Sequence, residues 1–229
     1  MTRKTPLNQF LRSAKNTLYP NRIWKRNRSG SQFGQDLFVI EHLQKSHGFF
    51  VEIGVGDGKR LSNTYLLEKK YEWNGILCEP NAVFHKAIAR FRSASLDRRA
   101  AFSESGKRVS FLCCPVGELS TFSEYKNGDQ HTRIGKEIEV ETVSLMDLLT
   151  QHNAPDVIDY LSVDTEGSEL DILKTFDFSR FNVLVLTVEH NFNKERIAAL
   201  DGLLTPLGYE RVHADKSHID AWYIKTQLA

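Results

Sequence analysis

Three groups of residues have types and spacings that can do chemistry. The first is Phe49-Phe50-Val51-Glu52-Ile53-Gly54-Val55-Gly56-Asp57-Gly58. An apolar run entering alternate glycines reads as a buried strand that ends in a tight turn. A ligand there can lie against main-chain atoms. The second is Cys78-Glu79-Pro80, where Glu79 follows Gly54 by 25 residues. An acid at the end of the next strand can accept hydrogen bonds from ribose hydroxyls. The third is a set of acids and a histidine at later strand ends: Asp164, Glu166, Glu169, Glu189 and His190.

The first two groups point to a nucleoside cofactor, and charge narrows the choice. A dinucleotide loop needs G-x-G-x-x-G against a pyrophosphate. Here the spacing is G-x-G-x-G, and Lys59-Arg60 follows. Glu52 and Asp57 would repel a pyrophosphate. They suit a ligand carrying sulfonium and ammonium groups, which is S-adenosylmethionine. The competing reading, a glycine turn with no ligand, is disfavoured by the coupled Glu79. A nicotinamide-dependent oxidoreductase is disfavoured by the glycine spacing. Gln32 and Ser62-Asn63-Thr64 are expected near the methionine end, although Ser62 or Asn63 equally suits plain helix capping.

Asp57, Asp164, Glu166, Glu189 and His190 can converge on one cleft. Methyl transfer to a hydroxyl needs an acceptor held in line and a base or metal ion to deal with its proton. Asp164, Glu166 and His190 are assigned that catalytic work. The same three are candidate ligands for Mg²⁺, which prefers oxygen donors. Plain alternatives are a first-turn dipole charge for Glu166 or Glu169 and a satisfied strand-end histidine for His190.

These residues need a scaffold, and the sequence supplies strands alternating with helices. Strands are expected at Phe49–Ile53, Gly75–Cys78, around Ser95–Phe102, Val109–Cys113, Ile158–Val163 and Val183–Glu189. Tyr209–His213 and Ala221–Lys225 are expected to close the sheet as an antiparallel hairpin. Helices are expected at Asp36–Lys45, Ser62–Lys70, Ala82–Phe91, Ser144–Gln151, Ser168–Phe176 and Lys194–Leu204. Pro115–Lys136 reads as a polar lid, the natural place for acceptor recognition, with Ser120, Thr121, Tyr125, His131 and Arg133 in it. The expected fold is α/β and Rossmann-like, with a mostly parallel seven-stranded sheet and helices on both faces.

As an ordered set, several segments resemble the FkbM family of S-adenosylmethionine-dependent methyltransferases. They are Ser31 to Asp36, Val51 to Gly54, Leu61 to Glu68, Trp73 to Asn81, Ser144 to Leu149 and Asp159 to Glu169, within roughly residues 31–225. The resemblance implies a class I methyltransferase fold and O-methylation, often of sugar hydroxyls on glycans, lipopolysaccharide or natural products. It also implies an adenine contact at Ala100 and Ala101. With the residues read above, the expected cofactor set is Gln32, Glu52, Gly54, Gly56, Asp57, Ser62, Asn63, Glu79, Pro80, Ala100, Ala101 and Asp164. Val55 and Asp57 depart from the Ala and Asn or His common in the family's glycine loop.

Bulk properties bound the rest. The 229 residues, 41% hydrophobic and 26% charged, suit one globular domain. Three cysteines, two of them adjacent, argue against a disulfide framework and for a reducing compartment such as the cytoplasm. Residues 1–28 carry eight Lys or Arg and no acid, so residues 29–229 form an acidic body, the methyltransferase domain. Leu7, Phe10, Leu11, Ala14 and Leu18 recur at helical spacing within this arm. The arm is expected to pack on the body, to dock a protein partner, or to lie peripherally on the anionic inner face of a membrane. No basic stripe with interleaved aromatics crosses the body, so nucleic acid is not an expected partner. The acceptor is expected to be a small molecule or a glycan. The competing function is a catalytically inactive scaffold of the same fold, recruited through the arm.

Overall fold

The computed structural model describes residues 29–128 and 131–226. The basic arm at 1–28 lies outside the described residues. Among the described residues, eleven strands form two sheets. The larger has seven strands in the order β10-β11-β9-β8-β1-β2-β3. Its members are β1 Phe49–Ile53, β2 Asn74–Cys78, β3 Ser95–Asp97, β8 Val157–Val163, β9 Asn182–Glu189, β10 Tyr209–Val212 and β11 Asp220–Lys225. Neighbours from β9 through β8, β1 and β2 to β3 pair in parallel. Only β11 runs against its neighbours, so the sheet is mixed, with the expected antiparallel hairpin at one edge.

Strand alternation explains the two covered faces. On one face Phe50, Leu77, Tyr160, Val185 and Trp222 meet helices α1 Gln35–Leu43, α2 Tyr65–Tyr71 and α3 Ala82–Phe91, through Leu37, Phe38, Leu66, Leu67 and Ile88. On the other, Val51, Ile53, Leu161, Val163, Leu186 and Val188 meet α4 Leu145–Gln151, α5 Glu169–Lys174 and α6 Lys194–Leu204. A fully buried Leu or Phe contributes roughly 1.5–3 kcal/mol, so these two layers dominate stability. Side chains satisfy the first-turn N–H groups of three helices: Asn81 caps α3, Ser144 caps α4 and Asn193 caps α6.

The second sheet was not anticipated. It has the order β4-β7-β5-β6, from β4 Ala100–Phe102, β5 Arg108–Cys113, β6 Thr121–Phe122 and β7 Lys136–Ser144. Ala100, Phe111, Phe122 and Val140 form its own small core. The expected lid is therefore partly built into this sheet. Helix α2 also starts three residues later than expected, at Tyr65, because Ser62 to Thr64 are held outside it by Glu52. No described helix is long and apolar enough to cross a membrane.

Candidate active site

Chain connectivity runs outward in opposite directions from β1 and β8, so their boundary is a topological switch point, where open α/β sheets leave a crevice beyond the strand carboxyl ends. The crevice depends on Gly54. Its φ is +81°, and a Cβ there would lie 1.6 Å from the carbonyl oxygen of Asp164. Any side chain would push the ends of β1 and β8 apart. The amide of Gly54 donates to the Cys78 carbonyl at 3.1 Å, and the amide of Asp164 donates to the Ile53 carbonyl at 3.0 Å. Three strand ends are thereby tied side by side.

A cavity of about 600 Å³ opens at these ends. Gly56, at φ +58°, faces open space: the nearest atom to a Cβ built there is Glu118 Cγ at 3.8 Å. At one side stands Glu79, which is buried. Its Oε2 accepts from the amides of Val55 at 3.1 Å and Gly56 at 2.9 Å, and its Oε1 accepts from the amide of Asn81 at 2.8 Å. Burial raises its pKa to about 7 against the lowering effect of those three bonds, and nearby Glu52 adds to the rise. Ala100, Ala101, Phe84, Phe111, Phe122 and Leu119 form an apolar wall beside it.

At the other side Asp164, Glu166 and Glu189 each bring a carboxylate oxygen within 4.8 Å of the others. Burial pushes Asp164 and Glu189 well above the usual carboxylate range; the charge of Glu166 adds to the rise at Asp164, and that of Asp164 to the rise at Glu189. Glu189 is buried, and its Oε2 has no hydrogen-bond partner. Glu166 Oε2 accepts from Arg133 Nη2 at 2.5 Å and from Asn191 Nδ2 at 3.4 Å. Thr121 Oγ1 donates to the Glu166 carbonyl at 3.1 Å, and Tyr125 donates to Asp171 at 2.6 Å. Thr121 and Arg133 are thus fastened to Glu166 and Tyr125 to the helix that follows it, and Val116 to Ser120, Phe122 and His131 form a wall of the cavity.

The structure places the sequence-predicted residues unevenly. Gln32, Gly54, Gly56, Glu79, Pro80, Ala100, Ala101, Asp164 and Glu166 line the cavity. Glu52, Asp57, Ser62, Asn63 and His190 are not among the lining residues. Glu52 is a buried anchor: Oε1 accepts from the Asn63 amide at 2.7 Å, and Oε2 accepts from Ser62 Oγ at 3.0 Å and Thr64 Oγ1 at 2.5 Å. The Asn63 amide nitrogen donates to Ser162 Oγ at 2.9 Å. Asp57 accepts from the amides of Lys59 at 2.8 Å and Arg60 at 2.6 Å, which shapes the turn. His190 is buried, its Nδ1 accepts from the Phe192 amide at 3.0 Å, and burial lowers its pKa. Glu189, its neighbour on the alternating strand, stands where His190 was expected.

Sequence reasoning missed Arg92 altogether. Its guanidinium is buried and donates to Glu68 at 2.6 Å, Thr64 Oγ1 at 2.7 Å, the Gly58 carbonyl at 3.1 Å and Ser62 Oγ at 3.1 Å. It locks the glycine loop to the turn before α2. An arginine after a helix carries no spacing signal that would have revealed this.

The mixed, mostly parallel sheet, switch-point crevice and paired acidic and glycine features define a Rossmann-like class I methyltransferase fold. Residues 52–214 match the family model of the methyltransferase FkbM domain, more than half of the chain. The chain belongs to that family. Among solved structures it is similar to precorrin-6y C5,15-methyltransferase from Geobacter metallireducens GS-15, at 12% identity and a TM-score of 0.43, covering 82% of this chain and 85% of that one. It is also similar to a methyltransferase from Pyrococcus furiosus, at 10% identity and a TM-score of 0.40, covering 95% and 94%. No curated protein sequence is a significant match.

Proposed function

We propose that the protein transfers a methyl group from S-adenosylmethionine to a hydroxyl oxygen of a sugar, glycan or related natural product. The observation that carries this reading is the charge layout of the cavity. Its lining includes Glu79, Glu118, Asp164, Glu166 and Glu189 against a single arginine, Arg60, which is itself paired with Glu118. Such a lining repels a pyrophosphate and attracts a ligand with sulfonium and ammonium charges. The open space at Gly56 and the apolar wall at Ala100 and Ala101 suit a nucleoside between the glycine loop and Glu79.

Bound there, S-adenosylmethionine supplies an electrophilic methyl on a positive sulfur. The chain's own residues do the rest. Glu79 holds the ribose end and fixes the loop amides of Val55 and Gly56. The acids Asp164, Glu166 and Glu189 face the reacting end, and a carboxylate there takes the proton that the acceptor hydroxyl gives up. Phe192 and Val116 line the cavity yet are 54% and 56% exposed, so they offer apolar rim contacts to the incoming acceptor. The lid wall limits water at the site through Arg133 and Thr121. The test is incubation of the purified chain with methyl-labelled S-adenosylmethionine and a glycan extract. Label in an alkali-stable methyl ether is the expected result; no binding of S-adenosylhomocysteine by calorimetry overturns the reading.

A further inference from the structure

The acids at the ends of β8 and β9 are too closely grouped for their surroundings. Asp164 and Glu166 are half-buried and Glu189 is buried, with one carboxylate oxygen from each within 4.8 Å of the others. Arg133 balances Glu166. Among the described residues, no Lys or Arg forms an ion pair with Asp164 or Glu189. Two carboxyl groups therefore lie in a partly desolvated site without a basic partner, where ionisation is costly unless another cation enters. Independently, Glu189 Oε2 is buried on the cavity wall with no donor. A buried acceptor without a partner calls for one, and a bound cation would supply it.

We propose that Asp164, Glu166 and Glu189 bind one divalent cation of the magnesium class. The donors are all hard carboxylate oxygens, with no sulfur and no imidazole in the set, which favours Mg²⁺ or Mn²⁺ over Zn²⁺. A divalent ion displaces the protons of the two acids that Arg133 does not pair with and balances the charge they then carry. Three protein oxygens leave roughly three octahedral positions for water and for acceptor hydroxyls. The assignment to a chelating, hydroxyl-bearing acceptor rests on the methyl-transfer reading above; the binding of the cation does not. In that role the ion holds the acceptor oxygen beside the cofactor and eases loss of its proton.

Mn²⁺ titrated into the full chain in chelator-free buffer, followed by loss of its free paramagnetic resonance signal, reads the site directly. The expected result is one Mn²⁺ per chain, displaced by Mg²⁺ and weakened at least about tenfold in Glu189→Gln and in Asp164→Asn. Mn²⁺ should also raise the melting temperature of the wild type and leave that of Glu189→Gln unchanged. Absence of a stoichiometric site, or equal affinity in both variants, overturns the proposal. Calorimetric titration of S-adenosylhomocysteine in excess chelator is run alongside. Nucleoside binding without Mn²⁺ binding sinks the cation alone, and Mn²⁺ binding without nucleoside binding sinks the methyl-transfer reading alone.

Discussion

Replacing Glu79 with alanine should weaken S-adenosylhomocysteine binding strongly. A carboxylate offers about four acceptor positions. The amides of Val55, Gly56 and Asn81 use three of them, which leaves one for a ribose hydroxyl. A hydrogen bond to a charged group contributes about 1.5–3 kcal/mol, so its loss weakens affinity by roughly 10- to 100-fold. Loosening of the glycine loop, whose two amides lose their acceptor, adds to this. The pH dependence follows from the same residue. Burial raises the Glu79 pKa from 4.5 to about 7. The neutral carboxyl is the cheaper form in the free protein. Its contribution to stability is fully present below about pH 4.5 and is lost as pH rises through about 7, an amplitude of about 3 kcal/mol. The ribose hydroxyl prefers the ionised form, so binding strengthens with rising pH until the carboxyl has ionised, by at most about tenfold per unit. Calorimetry on wild type, Glu79→Ala and Glu79→Gln across this range is the assay. Unchanged affinity in Glu79→Ala, or a pH dependence that survives in Glu79→Gln, would refute the reasoning.

Three further outcomes follow from the geometry. Asp164→Asn should retain S-adenosylhomocysteine binding within a few-fold by calorimetry while lowering methyl transfer by about 100-fold or more, since it removes a carboxylate from the reacting end. Gly54→Ala should fail to yield a stable fold in thermal denaturation, because the new Cβ would sit 1.6 Å from the Asp164 carbonyl oxygen. Arg92→Met should cost about 3–5 kcal/mol in urea denaturation, because it leaves Glu52 and Glu68 buried without their shared guanidinium.

Much of this was legible before any coordinates. The strands carrying Ile53, Cys78, Val163 and Glu189 announced themselves through short apolar runs, and the sheet edge they share followed from strand–helix alternation. The second sheet stayed hidden for a physical reason. Strand β7 carries the exposed Glu137, Glu139 and Glu141 on one face, and the other face, with Lys136 and Thr142 beside Ile138 and Val140, is too sparsely apolar to stand out from a loop. Glu52 and His190 lie outside the cavity lining for another reason. Composition gives a residue's chemistry, but the pleat of its strand decides which way it points. Glu52 points toward Ser62 and Arg92 rather than into the crevice, and the turn after β9 folds His190 onto the Phe192 amide. Long-range partners such as Arg92 with Glu68, 24 residues apart, leave no periodic trace.

The most direct measurement is a crystal structure of the full chain grown with S-adenosylhomocysteine. The account predicts the nucleoside between the glycine loop and Ala100, a ribose hydroxyl on the Glu79 carboxylate and its sulfur directed toward Asp164. A nucleoside bound elsewhere, with Gly56 and Glu79 facing only solvent, would contradict it.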